Sequence, residues 1–325
     1  MDNHAGNLNI EDLKWLGGLL DSDGCIGISK SVRKHNNVVY TPSITFTNSN
    51  SLIINKCIEI LSHHAINNHV KANGTCINIT ISRPNIILKF YSVMEKYIIT
   101  KSTELNFIKD FCLLRVNNVQ RSGCNWKANY TMEETRIVND LSELNKNHYG
   151  ECLEYGISDM LPNVDSLNKF SLSWLAGFID GDGCITINKL KRPNGTFQYQ
   201  PMVHIVTGSP LSKAVIGIFL DRYNINYYLK KSLSGTKHRA NCVNKRFEFY
   251  IRSHEDCVNI LKILGSKLYG KKLRGEKLID FCISRNSNKN KPYSEIELGL
   301  YDAIKQDMRD SSTTTRKTLI SEDIV

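Results

Sequence analysis

Two stretches of this chain carry the same order of apolar, small and acidic positions. Residues 15–26 read WLGGLLDSDGCI and residues 174–185 read WLAGFIDGDGCI. Each predicts a helix, over Glu11–Ser22 and Ser171–Gly181, closed by a DxDG turn. Strict alternation follows. Ile26 and Ile28 fall on one face, Gly27, Ser29 and Arg33 on the other; the second copy has Ile185 and Ile187 inward, Thr186, Asn188 and Arg192 outward. A returning strand puts Ile44 and Phe46 inward, Ser43 and Thr45 outward. A further strand carries Ile77, Ile79 and Ile81, matched by Phe247, Phe249 and Ile251. Each copy therefore reads helix, strand, strand, helix, strand, strand, helix. Antiparallel sheets of this pattern bury one face and leave the other free for a partner.

The repeat extends well past the motif. Asp21 recurs as Asp180, an offset of 159 residues that also carries Lys30 onto Lys189, Tyr40 onto Tyr199, Pro42 onto Pro201 and Leu52 onto Leu211. The stretch Lys101 to Cys112 lies on Lys271 to Cys282 at an offset of 170, so the second copy holds eleven extra residues between about Lys230 and Phe249. Those residues, LSGTKHRANCVNKR, have the composition of a lengthened hairpin tip. Tyr130-Thr131-x-x-Glu134 and Tyr293-Ser294-x-x-Glu297 both read as capping boxes opening a final helix. The expected organisation is a first repeat core over 1–125, a capped helix and linker over 126–167, a second repeat over 168–308, and a disordered tail over 309–325.

Charge narrows the partner. Across 325 residues the formal net charge is +10, which leans toward a polyanion. Ten cysteines are scattered singly, with no CxxC, and Cys57, Cys112 and Cys282 sit inside apolar helical patterns, so buried thiols are expected rather than zinc ligands or disulfides. The opening MDNHAGNLNIEDL has no signal-peptide pattern, and no stretch reaches membrane-spanning length, so no membrane association is expected of this chain. A soluble intracellular protein is the expectation, and heavy use of Asn, Ile and Lys fits an AT-rich genome, mitochondrial or plastid if the gene is organellar.

Two features of the repeated motif need a physical cause. Glycine inside a helix costs about 1 kcal/mol relative to alanine, yet the first motif carries Gly17 and Gly18 and the second Gly177. Close packing of the two helices across a pseudo-twofold axis offsets that cost. The carboxylates are the second feature. Asp21 and Asp23, like Asp180 and Asp182, end a helix, where the dipole disfavours negative charge. Pairing the helices brings like charges together, which a hard divalent cation held by carboxylate oxygens would relieve. Metals flanking a phosphodiester activate water and stabilise the leaving oxygen.

Both nonapeptides resemble the LAGLIDADG motif, and the repeated αββαββα unit resembles the core of that homing endonuclease family, of the single-chain, two-motif type. The resemblance implies an α+β fold of two tandem αββαββα repeats related by pseudo-twofold symmetry. Each repeat would have an antiparallel saddle-shaped sheet, and the two would pack through the motif helices. It implies a monomeric, sequence-specific endonuclease that takes double-stranded DNA in its major groove and hydrolyses one phosphodiester per strand across the minor groove, leaving 3′ overhangs. Two or more Mg²⁺ ions, with Mn²⁺ as substitute, would be held by Asp23 and Asp182 together with backbone carbonyls near Ser22 and Gly181. Asp21 and Asp180 would support helix ends and packing. The family's basic residue near the scissile phosphate falls on Lys101 and Lys271, with Lys272 an adjacent alternative to the latter. Its water-ordering residue on the second strand, often glutamine, falls on Thr45 and His204, a departure that makes the half-sites unequal.

On that reading the outward strand positions would meet DNA: Ser29, Ser31, Arg33, Ser43, Asn78 and Thr80 in the first half; Thr186, Asn188, Arg192, Gln198, Gln200, Arg246, Glu248 and Tyr250 in the second. Lys237 and Arg239 on the longer hairpin would reach flanking phosphates. The target is expected to be asymmetric and roughly 20 bp long. Two rivals share the fold: an RNA maturase binding its host intron RNA, and a non-catalytic DNA-binding protein. An intein setting is disfavoured, since no splicing blocks flank the repeats.

Overall fold

The computed structural model describes residues 10–32, 38–122, 130–147, 171–234 and 244–313. The first half runs α1 (Ile10–Asp23), β1 (Gly24–Val32), β2 (Val38–Asn48), α2 (Ser51–His63), β3 (His69–Asn73), β4 (Cys76–Ile81), α3 (Pro84–Met94), α4 (Ser102–Ser122) and α5 (Met132–Asn147). The second half repeats it as α6 (Leu172–Asp182), β5 (Gly183–Lys191), β6 (Phe197–Thr207), α7 (Pro210–Arg222), β7 (Tyr228–Ser234), β8 (Asn244–Ile251), α8 (His254–Leu264), α9 (Lys272–Ser287) and α10 (Glu295–Thr313).

The expected α+β repeats are present, with additions. One helix was expected between the fourth strand and the capping box; there are two, with Lys101 in the loop between α3 and α4. Pro84 at the first turn of α3 and the burial of Ile87, Phe90 and Met94, three, four and seven residues apart, explain the extra helix. The tail expected from residue 309 begins inside α10, which runs to Thr313; the rest of it lies outside the described residues, as do the linker after Asn147 and most of the long second hairpin.

Each half holds a four-stranded antiparallel sheet, ordered β1-β2-β4-β3 and β5-β6-β8-β7. Equivalent residues pair alike: Ile26 opposite Ile44 and Ile44 opposite Ile81, against Ile185 opposite Val203 and Val203 opposite Ile251. These inward side chains are buried with Phe46, Phe90, Phe111, Phe249 and Phe281 under α2–α4 and α7–α9. Only part of β2 and β6 is doubly paired. Val38–Ser43 and Phe197–Met202 pair with β1 and β5 alone, so the outer half of each hairpin is a two-stranded ribbon.

The halves meet through α1 and α6. A Cβ on Gly18 would lie 1.9 Å from the Trp174 carbonyl oxygen, and one on Gly177 would lie 2.0 Å from that of Trp15. The close approach is reciprocal. Gly17 has another reason: its Cα faces the Tyr97 carbonyl of the loop after α3. Cys57, Cys112, Cys257 and Cys282 are buried free thiols, and no helix among the described residues is long and apolar enough to cross a membrane.

Candidate active site

The ends of α1 and α6 abut, and the two aspartates of each motif part company there. Asp21 turns into the protein. It accepts from Trp174 Nε1 of the other half at 2.8 Å and from the backbone N–H groups of Ile99, Thr100 and Lys101. Asp180 mirrors it, accepting from Trp15 Nε1 at 3.0 Å and from the N–H groups of Tyr269 and Lys271. Each buried carboxylate is thus completed by an indole from across the interface. Burial pushes both carboxyls up; the hydrogen bonds and the nearby lysines oppose it.

Asp23 and Asp182 point the other way and lie within hydrogen-bonding reach of each other. A Cβ on Gly181 would sit 2.1 Å from Ser22 Oγ and 3.3 Å from Asp23 Cγ, a measure of how tightly the ends meet. Asp182 is packed on one side and open to water on the other. The surrounding protein, then the Asp23 charge, push its carboxyl up to about 6. Burial also raises Asp23, against the pull of Lys271 and of Asn48.

Lys101 and Lys271 come to the site from beneath. Lys101 Nζ donates to the carbonyls of Leu20 at 2.8 Å, Ser22 at 3.1 Å and Gly24. Lys271 Nζ donates to those of Ile179 at 2.7 Å, Asp180 at 2.7 Å and Gly181 at 2.9 Å. A cation here satisfies orphan C-terminal carbonyls and opposes the helix dipole. Burial lowers both ammonium groups and the nearby aspartates raise them. The carbonyls of Ser22 and Gly181, expected as metal ligands, each already accept one of these bonds and keep one lone pair.

The halves are not identical. Asn48 Nδ2 donates to Asp23 Oδ2 at 2.7 Å, whereas Thr207 stands at the equivalent position in the second half. Buried Glu104 on α4 has as its counterpart on α9 the buried Arg274, which forms an ion pair with Asp307. Arg274 also lines, with Asp23, Asn48, Asn50 and Lys271, a cleft of about 360 Å³ beside the aspartates. Neither Asn48 nor Arg274 was singled out from sequence, because both break the repeat. The duplicated Trp15 and Trp174 were the available signal for the interface.

Thr45 pairs with Cys25 and His204 with Cys184, one residue past each motif. Thr45 Oγ1 lies 3.4 Å from Thr80 Oγ1. His204 stacks on Tyr250 at 4.3 Å, Nε2 3.5 Å from Glu248 Oε2, and the Arg252 guanidinium lies over the Tyr250 ring at 4.4 Å. Burial lowers His204, against the nearby Glu248. Glu248 is engaged as well, accepting from Ser232 and from the Tyr250 hydroxyl.

Most sheet positions expected to meet DNA are at least partly open to solvent. Ser29, Ser31, Arg192 and Arg246 are exposed; Ser43, Asn78, Thr80, Asn188, Gln198, Gln200, Glu248 and Tyr250 are partly exposed. Thr186 is a correction: it is 3% exposed, because Lys305 of α10 reaches over the β5 edge and donates to its Oγ1 at 2.9 Å. Arg33, Lys237 and Arg239 lie outside the described residues.

Two paired helices presenting two juxtaposed carboxylates, each helix leading into a four-stranded sheet, form a duplicated, pseudo-symmetric site. The chain belongs to the LAGLIDADG endonuclease family, whose model matches residues 16–113 and 175–287. The fold is similar to that of the LAGLIDADG homing endonuclease I-SmaMI bound to cleaved DNA, with a TM-score of 0.65, 13% identity and coverage of 94% of this chain and 98% of that one. It is similar also to I-LtrWI bound to target DNA, with a TM-score of 0.63, 18% identity and coverage of 92% and 98%. A third similar structure is I-AabMI bound to uncleaved DNA, with a TM-score of 0.59, 14% identity and coverage of 91% and 98%. No curated protein matches the chain.

Proposed function

We propose that this chain is a metal-dependent homing endonuclease that, as a monomer, cuts both strands of a long asymmetric DNA target and leaves 3′ overhangs. The observation that carries this reading is the juxtaposition of Asp23 and Asp182 at the paired ends of α1 and α6, each carboxyl raised by its surroundings. Two carboxylates so close, with solvent on one side, make a donor set suited to hard divalent cations such as Mg²⁺, with Mn²⁺ as substitute. One relative in the same fold, I-SmaMI, was solved on uncleaved DNA in the presence of calcium ions. When bound, Mg²⁺ would neutralise the developing charge on the phosphodiester and lower the pKa of an attacking water.

The chain's own residues supply the rest. Lys101 and Lys271 fix the helix ends so that the two aspartates hold their positions, and their charge lies behind the carboxylates, where it offsets part of the mutual repulsion. Asp21 and Asp180 lock the lysine loops to the interface. Asn48 orients Asp23. Thr45 and His204 flank the two halves of the site unequally. The sheet faces carry Ser, Asn, Gln and Arg side chains able to read base edges, and the net charge of +10 supplies affinity for phosphates. Duplication provides in one chain the interface that makes a monomer sufficient.

The test is cleavage selection on a randomised duplex library, in Mg²⁺ and in EDTA, with wild type, Asp23→Asn and Asp182→Asn. Magnesium-dependent cuts at one long asymmetric site, lost in either variant, support the reading. Binding without cutting in any metal would move a DNA-binding scaffold to the front. Tight binding to structured RNA alone would favour a maturase.

A further inference from the structure

The capping boxes noted in the sequence are part of a larger constellation, present once in each half. In the first, Glu134 is fully buried and accepts from the Thr131 N–H at 2.6 Å, closing the first turn of α5. Its other oxygen faces Arg115 Nη1 of α4 at 3.4 Å. The Arg115 guanidinium lies 4.5 Å from the centre of the Tyr130 ring. The Tyr130 hydroxyl then reaches β2, accepting from the Tyr40 N–H at 2.8 Å and donating to the Tyr40 carbonyl at 3.3 Å. The second half repeats every part. Glu297 is fully buried, accepts from the Ser294 N–H at 2.6 Å and faces Arg285 Nη1 at 3.5 Å. The Arg285 guanidinium lies 4.3 Å from the centre of the Tyr293 ring, and the Tyr293 hydroxyl bonds the Tyr199 N–H at 3.0 Å and carbonyl at 3.5 Å.

Tyr40 and Tyr199 lie in the outer ribbons, where β2 and β6 have lost β4 and β8 as neighbours. There the outer edge presents a backbone donor and acceptor without a strand to pair them, and an isolated two-stranded hairpin is marginal in water. A phenol, which both donates and accepts, takes the place of the missing strand at one residue. An Arg–Glu pair, its glutamate fully buried in each half, anchors that phenol to the core, and such pairs serve geometry better than net stability. These same ribbons carry Ser29 and Ser31 in one half and Asn188, Gln198 and Gln200 in the other.

We propose that each Tyr–Arg–Glu clasp is the positioning device for its own ribbon, so that Tyr130 with Arg115 sets the reading of one half of the DNA target and Tyr293 with Arg285 sets the other. The ribbon part stands on the free protein; the half-target part rests on the endonuclease reading.

The experiment separates the two. Tyr130→Phe and Tyr293→Phe remove only the hydroxyl. Hydrogen exchange of the free full-length protein is followed over residues 38–43 and 197–202, and the base preference at each target position is profiled by cleavage selection on a randomised duplex library in Mg²⁺. Tyr130→Phe is expected to speed exchange about fivefold over 38–43 only, as loss of one backbone-linked hydrogen-bond pair implies, and to flatten base preferences over one contiguous half of the target. Tyr293→Phe is expected to do the same at 197–202 and over the opposite half. Unchanged exchange in the variant's own ribbon overturns the clasp. Changed exchange with preferences flattened equally in both halves, or in neither, overturns half-target positioning. If the wild-type protein cuts nothing in the library, the half-target claim falls with the endonuclease reading, and exchange alone decides the clasp.

Discussion

Substituting alanine for Gly18 sets two physical effects against each other with opposite signs. Helix propensity alone makes Gly18→Ala stabilising by about 1 kcal/mol. The interface predicts the reverse. The new Cβ would stand 1.9 Å from the Trp174 carbonyl oxygen, where ordinary contact begins at 3.4 Å, so α1 and α6 must part by about 1.5 Å. Both obstructing groups are backbone, so no side chain can swing away. Parting the helices stretches the Trp15–Asp180 and Trp174–Asp21 bonds, now 3.0 and 2.8 Å, beyond hydrogen-bonding range. Each is a buried bond to a carboxylate, worth roughly 2 kcal/mol. Losing both and gaining the propensity term leaves a net cost of about 3 kcal/mol before any loss of dispersion contact. For a chain of 325 residues that lowers Tm by roughly 4–5 °C. Gly299→Ala is the control: it lies in α10 with nothing within 4 Å of its Cβ position, and it should raise Tm by 1–2 °C, following propensity alone (about 1 kcal/mol). Differential scanning calorimetry of both variants settles the matter, and a Gly18→Ala protein that melts at or above wild type would refute the packing argument.

Lys101→Met and Lys271→Met should each cost on the order of 2–4 kcal/mol, because three carbonyls at or just past the helix end lose their donor; denaturant titration measures this, and undiminished stability with lost cleavage would make the lysines purely catalytic. Asp182 is raised in the folded state, so its contribution to stability is full below the ordinary carboxylate value and is lost as pH climbs through about 6. In EDTA, Tm should therefore fall between pH 4 and pH 7, by an amount worth about 1 kcal/mol once solvent on the open side is allowed for, and Asp182→Asn should flatten the fall. Trp174→Phe should destabilise by roughly 2 kcal/mol by leaving Asp21 without its indole donor, and the same Asp21→Asn change made in wild type and in Trp174→Phe should give unequal effects in a double-mutant cycle.

What the residues announced and what they hid follow from one distinction. Many features copied in both halves were exposed by their spacing: the motif helices, the first two strands, the capping boxes and the four motif aspartates. The helix α3 and its twin α8 were copied too, yet their apolar spacing was not read as a separate helix. Inward alternation at Ile26, Ile44 and Ile79 has its counterparts at Ile185, Val203 and Phe249, and all are buried. Features made by tertiary encounter were not visible. Nothing in the spacing of Asp21 and Trp174 says that they meet across 153 residues. Lys101 was legible as a repeated cation, but its contacts with helix-end carbonyls depend on how the α3–α4 loop folds under α1. Thr186 had the alternation of an open position, yet it is buried and accepts from Lys305 of a distant helix. Asn48 and Arg274 have no twin, so comparison of the copies passed over them.

The exchange of indoles between the two halves also limits how such a chain can be recombined. Each half carries a buried acid one of whose donors is encoded in the other, so a half grafted beside a stranger inherits a buried carboxylate short of one donor unless the stranger brings a tryptophan at the same turn of its helix. The two halves are free to drift apart on their sheet faces while remaining bound to each other as a matched set at the seam.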